Sequence, residues 1–350
     1  AAILVSNCKY DEALSIYEDM ASRVDIRRDA YLANYTYALI YSGRFEEARK
    51  NLGEMLALAP NDVNIRTTRA VISLLHQDFE TGWQDYAYRG ISFSRHFRTL
   101  AIPRWQGEPL HGKRIVLIAE QGLGDQVMFA SCLPDLLALG AQEVIVEVVN
   151  RVAKTIARSF PSVTVVPSNQ KNDMAWLKDL GSVDYFTSLG DLPASFRRHV
   201  NEFPRRAYLV ADAERTSFWR DKLAAVAPRP WIGVSWRGGT EITRKAARTM
   251  SILDLQGLEP VPGGSLVCLQ YGDVTQDLSI AAEAGLSLHH WPEAIADLDE
   301  FAALIAALDG VVTVCNTTVH YAGALGKPVW VLAPKVPEWR YGLTNDFMPW

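Results

Sequence analysis

Two stretches of the chain each read as a buried parallel strand, a tight turn and the start of a helix. The first is Lys113-Arg114-Ile115-Val116-Leu117-Ile118-Ala119-Glu120-Gln121-Gly122-Leu123-Gly124-Asp125-Gln126-Val127. The second runs from Val311 to Val314, through Cys315-Asn316-Thr317-Thr318-Val319-His320, and on through Gly326-Lys327-Pro328 to Leu332. In open α/β sheets, ligands sit outside the carboxyl ends of strands, where helix N-termini offer free N–H groups to anions. Two such turns far apart in one chain imply two facing Rossmann-like domains with a cleft between them.

Residues 1–95 are helical by period. Tyr10-Asp11-Glu12-Ala13 recurs as Phe45-Glu46-Glu47-Ala48 and, degenerate, as Phe79-Glu80-Thr81-Gly82. The period of about 34 to 35 residues is that of a tetratricopeptide repeat, with an unrelated helical bundle as the other reading. Gly43 supplies the turn between paired helices, Ala48 lets them approach, and Pro60 ends the second helix. Residues 96–112 read as a linker. The first α/β domain is expected at 113–210, with strands 115–119, 144–148, 163–167 and 185–188 and helices 126–139, 151–160 and 173–180. A connecting helix at 213–226 lies in the junction 211–230. The second domain follows at 231–350, with strands 231–236, 266–270, 287–289, 311–314 and 329–332. Its helices are expected at 252–258, 278–284, 298–308 and 319–325. Strands alternating with helices of this length predict parallel sheets, so the fold class is α/β preceded by all-α repeats.

Bulk properties exclude several classes of function. A hydrophobic content of 49% and a charged content of 21% fit an ordinary globular protein. The net charge of −5 argues against an extended nucleic-acid footprint. Cys8, Cys132, Cys268 and Cys315 form no C-x-x-C pair, so neither a disulfide framework nor a zinc site is expected, and a reducing cytoplasm fits them. No apolar run approaches the roughly 18 residues of a membrane span. The chain begins Ala1-Ala2 and ends Met348-Pro349-Trp350, which reads as a piece of a longer protein.

Three groups of residues now carry a resemblance: Glu120-Gln121-Gly122-Leu123-Gly124-Asp125, the run from Thr313 to Pro328, and Pro337-Glu338-Trp339-Arg340-Tyr341. Together they resemble bacterial tetratricopeptide-repeat proteins with a glycosyltransferase family 9-like domain, relatives of the ADP-heptose:lipopolysaccharide heptosyltransferases. Some flagellin glycosyltransferases look like this. Gly82-Trp83-x-x-Tyr86-x-x-Arg89 and Asp297-Leu298-Asp299 look like the same group, and the resemblance covers nearly the whole chain. It implies a GT-B fold and transfer from a nucleotide sugar without a metal or other cofactor. One position departs. The family carries Asp five residues before the His of its second motif, where this chain has Cys315. A thiol offers no carboxylate to sugar hydroxyls, which argues against heptose as the donor sugar.

By that resemblance Asp125 occupies the position of the candidate base that takes the acceptor's proton. Its other reading is a helix cap. Glu120 is the reserve carboxylate, or a satisfied polar turn residue. Gly122 and Gly124 let the backbone bend and leave room for substrate. Asn316, Thr317 and Thr318 at a helix start suit a pyrophosphate, and His320 reads as a contact to phosphate or ribose, or as a buried structural histidine. Arg237 and Arg248 would neutralise the departing diphosphate in place of a metal. Arg244 and Lys245 belong to the same basic stretch and read equally as a solvated loop. Gln270 could line the base or ribose pocket. Trp339 could stack on a base or pack between domains, and Arg340 could pair with phosphate. The partners expected are a nucleotide-sugar donor and a protein held by the repeats. The other readings are a catalytically degenerate scaffold and a nucleotide-sugar epimerase or hydrolase.

Overall fold

The computed structural model describes residues 1–21, 28–92, 98, 100–169, 175–240, 243–258, 263–343 and 346–350. Helices come first: Ala2–Ser6, Tyr10–Ala21, Arg28–Ser42, Phe45–Leu58, Val63–Leu75, Phe79–Tyr86 and Arg89–Ser92. All three recurring sequence blocks, at Tyr10, Phe45 and Phe79, open helices. Gly43 takes φ +89°, the left-handed turn that ends the helix before it. Ala48 is fully buried, and a Cβ on Gly82 would lie 2.5 Å from Leu74 Cδ2. Small residues at these two places therefore let neighbouring helices touch.

Two parallel sheets follow. The first has β1 (Arg114–Ile118), β2 (Glu143–Val149), β3 (Val163–Ser168) and β4 (Tyr185–Ser188), in the order β3-β2-β1-β4. The second has β5 (Trp231–Ser235), β6 (Ser265–Cys268), β7 (Leu288–His289), β8 (Gly310–Val314) and β9 (Val329–Leu332), in the order β7-β6-β5-β8-β9. In each sheet the chain steps outward from its first strand and then crosses back to that strand's other side. The crevices created by this reversal open at the carboxyl ends of β1/β4 and β5/β8. β1 and β8 are buried almost throughout, which is why they read as unbroken apolar runs.

Several elements differ from the sequence expectation. The helix predicted at 126–139 starts earlier and breaks into Leu123–Phe129, a 3₁₀ turn Ala130–Cys132, and Leu133–Leu137. Pro134 has no N–H to offer the carbonyl of Ala130, so one continuous helix cannot form. The helix predicted at 252–258 is a 3₁₀ turn, Ile252–Gly257. That predicted at 173–180 is a 3₁₀ turn, Ala175–Leu180, and residues 173–174 lie outside the described residues. A further helix, Pro292–Ala296, lies where the sequence expectation assigned no element. Residues 103–105 run beside β4: Phe186 N–H donates to Pro103 O at 2.9 Å and Trp105 N–H to Phe186 O at 2.8 Å. Trp105 and Leu110 are buried, so this part of the linker-like segment is packed against the first sheet.

The sheets are joined by polar contacts as well as packing. Arg158, on the helix Asn150–Ser159, donates to both carboxylate oxygens of Asp299 at 2.8 and 2.6 Å, and Thr155 Oγ1 donates to Asp299 at 3.0 Å. Asp297 caps the helix Leu298–Ala307. Asp297-Leu298-Asp299 is thus a cap and an interdomain pair in this fold. No helix among the described residues is long and apolar enough to cross a membrane.

Candidate functional site

The β5/β8 crevice is built by two side-chain amides. Gln270, just beyond β6 and buried, accepts from the backbone N–H groups of Trp236 and Arg237 at 3.0 and 2.7 Å. Asn316 caps the helix Thr317–Ala324. Its Oδ1 accepts from Thr318 N–H at 2.9 Å, and its Nδ2 donates to Ser235 Oγ at 3.0 Å and to Arg237 O at 3.1 Å. Both amides are thus used in shaping the loop after β5. A Cβ on Gly238 would lie 2.6 Å from Cys315 O, so only glycine lets this loop cross the end of β8.

A pocket of about 380 Å³ opens beside that loop, lined by Arg237, Gly238–Thr240, Lys245, and Gln270–Asp273. Arg237 is half-buried and pairs with Asp277 at 3.1 Å while donating to Asp273 O at 2.7 Å. Arg248 lies against Gly239 and donates to Thr243 Oγ1 at 2.8 Å. Its buried Nε has no hydrogen-bond partner among the described residues. A larger cavity, about 630 Å³, is lined by His320, Trp330, Tyr341 and Phe347 among others, with no Lys or Arg in its lining. The smaller pocket, with Arg237 and Lys245 in its lining, is the one of the two that offers positive charge to an anion.

Thr317 is half-buried and Thr318 buried in the first turn of helix 317–324. His320 is 7% exposed. A Cβ on Gly124 would lie 2.7 Å from His320 Cδ2 and 3.5 Å from Thr317 Cα, so the two motif helices touch at this glycine. His320 Nδ1 has no hydrogen-bond partner among the described residues. Burial pushes the imidazole down to about 4; Asp125 raises it, and Arg340 and Arg248 lower it further. The ring is therefore neutral when folded and protonates near 6.5 when unfolded. Its contribution to stability is complete above pH 6.5 and is lost as pH falls from there towards 4, about 3 kcal/mol across the window. Urea midpoints of wild type and His320→Leu at pH 7 and pH 4.5 check this. The variant is expected to lose less stability in acid than wild type, and equal losses would contradict the assignment. Cys315 is fully buried against Val319 and Tyr341, and burial pushes its thiol up to about 12.

On the first sheet, Gly122 is the N-cap of helix 123–129 and its N–H donates to Asp125 Oδ2 at 3.1 Å. Asp125 Oδ1 accepts from Arg340 Nε at 2.7 Å. Arg340 also donates to Gln121 Oε1 at 3.3 Å, and Gln121 donates to the Tyr86 hydroxyl at 2.7 Å. Asp125 thus caps a helix and is paired across the two sheets. Glu120 is buried at the β1/β4 crevice. Arg89 pairs with it there, and Gly190 N–H donates to it at 3.0 Å. Arg89 also reaches Asp191 Oδ1 at 2.9 Å and donates to Tyr86 O at 2.9 Å. Burial pushes the Glu120 carboxyl up in spite of Arg89, whereas Arg89 and Arg104 hold Asp191 down against its own burial. Trp339 is buried edge-on against Trp83 and Tyr86, with ring centroids 5.5 and 5.3 Å away, and Arg340 stacks on it at 4.6 Å.

The sequence assigns no site role to Arg89, Tyr86 or Gln121, and for Arg244 it leaves a diphosphate-neutralising cation and a solvated loop as equal readings. A signal existed for the first two. Trp83, Tyr86 and Arg89 recur every third residue, which places them along one face at the end of the N-terminal helices. That face meets the β1/β4 crevice and Trp339. Arg244 is buried beneath the helices, with its guanidinium 3.7 Å from the centre of the Tyr41 ring.

No family model matches the chain. The curated Protein FlbA of Caulobacter vibrioides is 34% identical over 336 residues, covering 87% of this chain and 55% of the relative. The chain thus spans about half the length of the curated relative it matches. Similar solved structures include the glycosyl transferase family 9 protein from Veillonella parvula DSM 2008. It shows 13% identity and a TM-score of 0.49, covering 70% of this chain and 86% of that one. Another is the ADP-heptose lps heptosyltransferase II of E. coli, with 18% identity and a TM-score of 0.44, covering 62% of this chain and 84% of that one.

Proposed function

We propose that the chain is a glycosyltransferase of GT-B type. It would move a sugar from a nucleotide-sugar donor to an acceptor by metal-independent inverting transfer. The N-terminal helices would be tetratricopeptide repeats that hold a protein partner or acceptor. The observation that carries this reading is the pocket at the carboxyl edge of the second sheet. Arg237, Lys245 and the backbone of Gly238–Thr240 ring it, Arg248 stands behind Gly239, and the first sheet's motif helix abuts its neighbour at Gly124. In this reading the arginines stabilise the departing diphosphate, as preorganised positive charge does at developing anions. Calorimetric titration with a panel of nucleoside diphosphates, in excess chelator, tests it. Wild type is expected to bind one of them, and Arg248→Met to weaken that binding about tenfold, or about 1.4 kcal/mol. Binding that disappears on chelation and returns with magnesium or manganese would contradict the metal-free mechanism. No binding by wild type would remove the transferase reading.

A second reading, a scaffold on a degenerate transferase fold, is favoured by a specific set of contacts. Both candidate carboxylates are engaged, Asp125 with Arg340 and Glu120 with Arg89, and Cys315 stands where the resembling family carries a carboxylate. Sugar transfer measured with a broad donor panel and native partner proteins separates the two readings.

A further inference from the structure

We propose that Arg244 is a positioning residue through which the N-terminal helices hold the anion-binding loop in place. The inference rests on the reading of that loop as the phosphate site. Arg244 lies in the stretch between Gly239 and Arg248 yet points away from the pocket, and it is 8% exposed. Its guanidinium covers the Tyr41 ring at 3.7 Å, and Nε donates to the Tyr10 hydroxyl at 3.0 Å. Nη1 and Nη2 each donate to Val336 O at 3.1 Å, and Nη1 reaches Glu338 Oε1 at 3.4 Å. Tyr10 and Tyr41 stack on one another with centroids 5.5 Å apart, and Tyr37 packs on Tyr41 at 4.6 Å. The side chain therefore ends in a socket made by two N-terminal helices and the segment after β9.

The backbone shows what the socket holds. Arg244 takes φ 58° and ψ 43°, a left-handed conformation that a long side chain adopts only where its surroundings fix it. On one side of it Thr243 Oγ1 accepts from Arg248 and from Thr240 N–H, at 2.8 and 2.7 Å. On the other side Lys245 lines the pocket, and its N–H donates to Thr240 O at 3.2 Å. Turning the backbone at Arg244 thus sets the direction of Lys245 and the seat of Arg248 together. An arginine suits this task because its planar fork stacks on the ring while its N–H groups reach several acceptors at once.

The experiment uses the whole chain and four variants: Arg244→Ala, Arg244→Lys, Tyr41→Leu and Tyr41→Phe. Amide hydrogen exchange is followed over residues 236–240 and 243–250, and affinity for inorganic pyrophosphate, UDP and ADP is measured by calorimetry. Arg244→Ala and Tyr41→Leu are expected to raise exchange in those segments about tenfold, with strand amides unchanged. They should also weaken the binding of whichever probe wild type binds by about fivefold or more. Tyr41→Phe, which keeps the ring, is expected to stay within about twofold of wild type, and Arg244→Lys to fall between. Wild-type exchange in a folded Arg244→Ala variant would overturn the proposal, as would faster exchange with unchanged pyrophosphate or nucleotide affinity. If wild type binds none of the probes, the reading of this loop as a phosphate site fails, and the exchange data alone decide whether the socket orders the loop.

Discussion

Replacing Arg89 with methionine is expected to destabilise the fold by about 3–5 kcal/mol, the usual result of removing one partner from a buried ion pair. Arg89 is 1% exposed and its guanidinium meets Glu120, Asp191 and the carbonyl of Tyr86. Asp191 retains Arg104, at 2.6 Å, whereas Glu120 would keep the Gly190 N–H and Gln121 but lose its counter-ion in a buried position beside Asp191. A Cβ at Gly190 would already collide with the Glu120 carboxylate, so this glycine is fitted to the pair. The double variant Arg89→Met with Glu120→Leu removes both charges and is expected to regain a large part of the lost stability, because an apolar pair of similar volume needs no desolvation. Urea unfolding followed by tryptophan fluorescence is a suitable measurement. Trp83, Trp339 and Trp350 cluster beside Tyr86 and report on the junction of the helices with the sheets. A single variant within about 1 kcal/mol of wild type would show that the pair contributes little.

The features legible in the sequence were those encoded locally. Apolar runs at 115–118 and 311–314 are buried strands because parallel strands are covered on both faces. The small residues Ala48 and Gly82 could be read as helix contacts because the repeat period placed them, and Gly82 has no room for a Cβ. Asn316 was legible at a helix start and reads there as part of a pyrophosphate site; in the structure its amide caps the helix and binds the β5 loop. What could not be read was pairing across large separations. Arg340 and Asp125 meet across 215 positions, and Arg244 and Tyr10 across 234. No periodicity or spacing marks such partners, since each is chosen by the packing of three separate layers. Arg237 and Arg248 stay near the pocket, while Arg244, in the same basic stretch, turns away through a left-handed backbone and ends among Tyr10, Tyr41 and Val336. Trp339 had two readings, ligand stacking and interdomain packing. The structure places it in the aromatic cluster with Trp83 and Tyr86.

Asp125→Asn and Asp125→Ala together separate catalysis from capping. The carboxylate has two contacts with different needs. Oδ2 accepts from Gly122 N–H, which an amide oxygen can also do. Oδ1 faces the Arg340 guanidinium, which benefits from a full negative charge. Loss of that charge is expected to cost about 1–3 kcal/mol in either variant, the range for hydrogen bonds to charged groups. Alanine also loses the cap, a further cost of about 1 kcal/mol. Stability should therefore fall in the order wild type, Asn, Ala whichever reading holds. Turnover need not follow that order. If Asp125 takes the acceptor's proton, both variants lose the base completely, and sugar transfer falls roughly 10²–10⁴-fold in each. Nucleoside diphosphate affinity should then hold, because Arg237 and Arg248, the proposed diphosphate contacts, lie on the other sheet. If Asp125 only caps and pairs, Asn should transfer sugar at near the wild-type rate under conditions where it is folded, with Ala reduced in step with its stability. Equal transfer by wild type and Asn would therefore eliminate Asp125 as the base. Glu120, sealed beneath Arg89, could take over that role only if the helices move away from the first sheet. An Asn variant that binds nucleotide normally and fails to turn over would instead require the Arg340 pair to open, or share its carboxylate, when an acceptor enters.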